Sequence, residues 1–176
     1  MTWLALMMLV APCPLNAAVP AQEYEIKAVF LYNFAQFVQW PPEAFADKKA
    51  PLVIGILGSD PFGSYMDEAV RGETVDGRPF VVRRYDRPEE ITDCHILFIS
   101  RSESGRLDQI LGSLKGKSVL TVGDMDDFSR DGGMIRFVTE NNKVRLRINV
   151  EAAKSAGLKI SSKLLRPAQI VSRLGN

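Results

Sequence analysis

The sequence predicts an α/β fold: a three-layer sandwich with a mostly parallel central sheet, an aromatic N-terminal helix, and a C-terminal β-hairpin plus helix. Three observations carry that expectation. Four short, nearly continuous apolar segments alternate with helical stretches, and continuous hydrophobicity means burial on both faces of a sheet. An aromatic segment with helical spacing precedes them. Two strands separated by asparagines follow them, the second with strict alternation.

Residues 2–11 are apolar and uncharged, too short to span a bilayer, and are followed by Pro12, Pro14, Asn16 and several alanines. This reads as a cleaved signal peptide over residues 1–21, leaving one domain over residues 22–176. Cys13 is not a lipid-attachment site, because Pro12 stands where such a signal needs a small residue. Removing the leader leaves Cys94 as the one cysteine, so an internal disulfide is excluded and a buried, inert thiol is expected.

From Tyr24 to Trp40, Ile26, Val29, Phe30, Phe34, Phe37 and Val38 recur at helical steps and define the expected buried face. Pro41-Pro42 ends the segment. Its aromatic side chains outnumber one face, which leaves Tyr32 and Trp40 for a partner.

The sheet strands are expected at Leu52–Leu57, Phe80–Val82, Ile96–Ile99 and Val119–Val122, with helices around Phe62–Val70, Glu103–Leu114 and Met125–Ser129. Met134–Thr139 and Lys143–Val150 form the hairpin, with Glu140-Asn141-Asn142 as the turn. Its second strand has a dry face and a basic one. A last helix starts near Glu151, breaks at Gly157 and resumes over Ser161–Leu174, with Ser161 or Ser162 as its cap.

The chemistry is sparse. A formal net charge of +1 over 176 residues argues against nucleic acid as a partner. His95 is the single histidine, with nothing nearby to complete a metal set or a nucleophilic triad, so no catalytic residue, metal or cofactor is expected. Gly55, Gly58 and Gly63 do not form a phosphate cradle, because Asp60 would repel the phosphate. Asp60 and Pro61 read instead as a helix cap and first turn. Ser100, Ser102 and Asp124 lie at strand ends, where open parallel sheets bind small ligands. Helix capping is the simpler role for all three.

The run from Tyr24 to Pro41 resembles the opening signature of the YfiR family. So do Gly77-Arg78-Pro79, Cys94–Ser100, Gly132–Phe137 and Leu158–Leu165, in family order across the mature chain. The resemblance implies a periplasmic, non-catalytic regulator that represses an inner-membrane diguanylate cyclase by binding it, thereby lowering cyclic di-GMP and restraining biofilm formation. It also admits a small-ligand-sensing module feeding a membrane kinase or cyclase, and a homodimer. Candidate partner contacts are Tyr32 and Trp40 on the aromatic segment and Ile160, Lys163, Leu164 and Arg166 near the C-terminus. Some relatives use disulfides for control, and Cys94 alone departs from that pattern.

Overall fold

The computed structural model describes residues 21–172. Cys13 and the leader expected over residues 1–21 lie outside it, apart from Ala21, which opens the first helix. The chain runs α1 (Ala21–Phe34), β1 (Val38–Gln39), β2 (Leu52–Leu57), α2 (Ser64–Val70), β3 (Thr74–Val75), β4 (Arg78–Tyr85), β5 (Ile96–Ile99), a 3-10 segment (Arg101–Arg106) and α3 (Leu107–Ser113). It continues through β6 (Leu120–Gly123), β7 (Ile135–Glu140), β8 (Lys143–Ile148), α4 (Val150–Ser155), β9 (Lys159–Ile160), α5 (Ser162–Leu165) and β10 (Gln169–Ile170).

The main sheet has 8 strands in the order β10-β8-β7-β6-β5-β2-β4-β3. All pairings are parallel except β7–β8 and β3–β4. Strands β2, β5 and β6 are buried along their whole length, as continuous apolar runs require. Two hydrophobic clusters cover the faces. One joins Leu31 and Phe34 of α1 to Ile54, Phe98, Val122 and Phe137; the other joins Leu97 and Ile99 to Leu107, Ile110 and Phe128. Gly123 and Gly133 both lie against the Phe128 ring, so closely that a Cβ on Gly133 would meet it at 2.2 Å.

Several sequence expectations need correction. Strand β4 lies next to the short edge strand β3, and Val81 is exposed, so its apolar run does not mark burial on both faces. The expected helix at Met125–Ser129 is a set of turns, with Asp127 at φ 55°. Helix α1 ends at Phe34, six residues before Trp40, because Val38 and Gln39 pair with Ile160 and Lys159 and the prolines hold the preceding chain extended. The resumed C-terminal helix is only Ser162–Leu165; Pro167 cannot continue it, and β10 then joins the sheet beside β8. The remainder of that expectation, residues 173–174, lies outside the described residues.

The hairpin follows its turn chemistry. Asn141 and Asn142 take φ of 51° and 58°, the conformation a two-residue hairpin turn needs. Ser161 caps α5 by accepting from the Lys163 amide, and Asn149 caps α4 by accepting from the Ala152 amide.

Candidate functional site

The buried face of α1 keeps Phe34 of the expected set, and Val38 just beyond the helix is buried too, but Ile26 and Val29 are not part of it. Lys27, Ala28, Leu31, Phe34 and Ala35 face inward, whereas Ile26 and Val29 are 42% and 46% exposed. Its apolar residues are spread around the axis among Glu23, Glu25, Lys27 and Asn33, so spacing alone does not single out one face. What selects the face is Lys27. Its ammonium is 2% exposed and donates to Asp124 Oδ2 at 2.6 Å, with Glu23 Oε1 at 2.7 Å on the other side. Asp124, itself 2% exposed, also accepts from the Tyr24 hydroxyl at 2.9 Å and from Arg101 Nε at 3.2 Å. Burial and the Asp124 charge hold the Tyr24 hydroxyl well above its ordinary pKa, so it stays protonated and donates. A charged lysine on a helix reads as solvated, and only the fold reveals its pairing with Asp124, 97 residues along the chain.

The outward face of α1 forms an apolar groove of about 470 Å³ lined by Ile26, Val29, Phe30, Asn33, Phe34, Phe37 and Leu164. The C-terminal segment thus meets the first helix at Leu164. Of the sequence-predicted partner residues, Lys163 and Arg166 are exposed, Tyr32, Trp40 and Ile160 are half-buried, and Leu164 is buried. Tyr32 packs edge-on against Phe80, while Trp40 donates from Nε1 to the His95 carbonyl at 3.3 Å. Ile26 and Val29, the exposed members of the groove, were assigned to the core by spacing.

The candidate ligand residues gather at the carboxyl edge of the sheet. There the strand order reverses around β2, which has β4 on one side and β5 on the other. Ser102 fills that crevice: its Oγ accepts from the Ser59 amide at 3.0 Å and donates to the buried Glu103 carboxylate at 3.3 Å. Ser100 caps the 3-10 segment through the Ser102 amide. Asp124 is taken up by Lys27, Tyr24 and Arg101. Asp60 Oδ1 accepts from the Phe62 amide at 2.7 Å and its Oδ2 binds Arg84; this is a turn ahead of α2, whose cap position is Gly63, so Asp60 is neither part of a phosphate cradle nor the helix cap expected.

His95 is 5% exposed. Its Nδ1 accepts from the Val53 amide at 3.1 Å, which leaves Nε2 to donate to the Ala44 carbonyl at 3.0 Å. Phe45 stacks on the ring at 4.4 Å, and the Arg78 guanidinium lies over Phe45 at 3.9 Å. This pins the 42–50 loop to the sheet. Burial holds the imidazole below its usual pKa, hence neutral. Cys94 is buried, donates to the Ile96 carbonyl, and its thiol is pushed up to about 12 by desolvation. Among the described residues no group of histidine, cysteine, aspartate and glutamate side chains can hold a metal, and no helix is long and apolar enough to cross a membrane.

The model of the YfiR/HmsC-like family matches residues 24–169. The chain belongs to the YfiR/HmsC-like family. Among curated proteins none matches it significantly. The matched span begins at Tyr24 on α1 and ends at Gln169 on β10, so family membership covers the Lys27–Asp124 node, the groove and all of the sheet but Ile170.

Proposed function

We propose that this protein is exported to the periplasm, binds an inner-membrane diguanylate cyclase and represses it, lowering cyclic di-GMP. Family membership supports a regulatory role of this kind. The observation that carries the mechanism is the groove on α1: a lined, apolar, outward-facing surface on a helix whose other face is locked inward by a buried ion pair. Exposed apolar side chains grouped around a concave surface are a docking signature.

Repression requires tighter binding to one conformation of the cyclase, since a ligand shifts an equilibrium only by its differential affinity. Moving a partner from almost wholly active to almost wholly inactive takes about 5.5 kcal/mol of such preference. Ile26, Val29 and Phe30 are the central contacts in this reading, with the exposed Lys163 and Arg166, close in sequence to Leu164, as further contacts; the half-buried Tyr32, Trp40 and Ile160 do not line the groove. A homodimer would present two such grooves to a dimeric cyclase. Deletion of the gene should raise cyclic di-GMP, and the tagged protein should retain a membrane cyclase on purification. Unchanged cyclic di-GMP together with no signalling enzyme retained would reject the reading.

The ligand-sensing alternative places a small molecule at Ser100, Ser102 and Asp124. Ser102 and Asp124 are engaged by several partners within the protein and Ser100 caps the 3-10 segment, which favours the surface reading. A periplasmic metabolite that raises the melting temperature would reverse that preference.

A further inference from the structure

The second hydrophobic layer covers only half of its face of the sheet. It lies over β2, β5 and β6 and stops at Gly123, where Phe128 takes the space of a side chain. Beyond it, in register with Gly123, come Arg136 on β7, Arg147 on β8 and Gln169 on β10. The same face carries Val138 and Glu140 on β7, and Lys143 and Arg145 on β8.

Arg136 and Arg147 stand directly opposite each other, a like-charge pairing that destabilises a sheet unless something offsets it. Asp126 answers Arg136 and Glu140 answers Arg147, but both guanidinium groups leave Nε without a hydrogen-bond partner. Lys143 and Arg145 are exposed and have no ion-pair partner among the described residues. A domain whose formal net charge is +1 thus concentrates four cations against two carboxylates on one sheet face.

We propose that this face binds a carboxylate-rich segment of another protein. Lys143, Arg145 and Arg147 repeat every second residue, roughly 6.7 Å apart. An extended chain with acidic residues at alternate positions has the same repeat, and its carboxylates face the exposed Lys143 and Arg145, while the buried Arg136 and the partly buried Arg147 add their charge from beneath. An anionic membrane is the poorer fit, because Val138 is the one apolar side chain that β7 and β8 place on this face, and it offers little to insert into lipid. The inference deepens the regulatory reading by stating the partner's chemistry, and its test does not depend on cyclase output.

The probe is a fluorescein-labelled peptide of alternating glutamate and serine, followed by anisotropy, with vesicles containing phosphatidylglycerol as a second arm. The parent protein should bind the peptide at low ionic strength and release it as salt rises. Lys143→Ala with Arg145→Ala should weaken binding roughly fivefold, the loss of two exposed charge pairs. The charge-matched Lys115→Ala with Lys117→Ala, in the turn after α3, should not. Both double variants change exposed side chains, so their melting temperatures should match the parent's. Equal weakening by the two, no binding by the parent, or a preference for the vesicles over the peptide would each overturn the proposal.

Discussion

The Lys27–Asp124 pair offers the most decisive perturbation. In Lys27→Met the aliphatic stem is roughly preserved, but Asp124 is left as a carboxylate only 2% exposed. Removing one member of a buried pair costs about 3–5 kcal/mol, because the survivor stays desolvated without its counter-charge. Asp124 retains the Tyr24 hydroxyl at 2.9 Å and Arg101 Nε at 3.2 Å, and the Arg101 side chain is 57% exposed and so a weaker substitute. The expected loss is therefore at the lower end, about 3 kcal/mol. In a domain of this size each kcal/mol moves the melting temperature by about 2–4 °C, giving a fall of about 6–12 °C. Replacing both partners, Lys27→Met with Asp124→Leu, removes the orphaned charge and should restore at least half of that loss. Urea and thermal unfolding of the mature chain, followed by circular dichroism and by Trp40 fluorescence, measure both variants. A single variant within about 0.5 kcal/mol of the parent, or a double variant no better than the single one, would refute the reasoning.

Further outcomes are expected elsewhere in the molecule. The folded pKa of His95 is depressed, so the unfolded chain takes up the proton first. Its contribution is then present above about pH 6.5 and lost as pH falls from there through the folded pKa. The urea midpoint should drop between pH 7 and pH 5 by more in the parent than in His95→Gln, and an equal drop would contradict the geometry. Cys94, with its thiol raised to about 12, should react with iodoacetamide at least about a hundredfold more slowly in the native chain than in urea. Similar rates would mean that the thiol is accessible. Val29→Asp, at a position 46% exposed, should change stability by less than about 0.5 kcal/mol yet abolish retention of the membrane partner. A folded variant that still retains the partner would remove the groove from the interface.

Much of the architecture is legible along the chain because the signals are local. Continuous apolar runs mark β2, β5 and β6 correctly, since burial on both faces leaves no room for polar alternation. The paired asparagines announce the hairpin, and alternation in β8 places Leu146 and Ile148 inside and Lys143 and Arg145 outside. The family likewise follows from residue runs, and the match over residues 24–169 agrees with them. Two-residue strands such as β1, β3, β9 and β10 escape because each exists only through its pairing partner.

What the sequence by itself determined is the layered α/β class and the family, both of which rest on residue type and short-range spacing. The tertiary structure alone decided that Lys27 belongs to the core of the first helix and that Ile26 and Val29 do not. Tyr24, Lys27 and Asp124 meet across 97 to 100 residues, and the resulting buried charge cluster turns Ile26 and Val29 outward. Apolar periodicity could not choose, because hydrophobic burial has no direction of its own, whereas an ion pair withdrawn from water is stable in only one orientation of the helix.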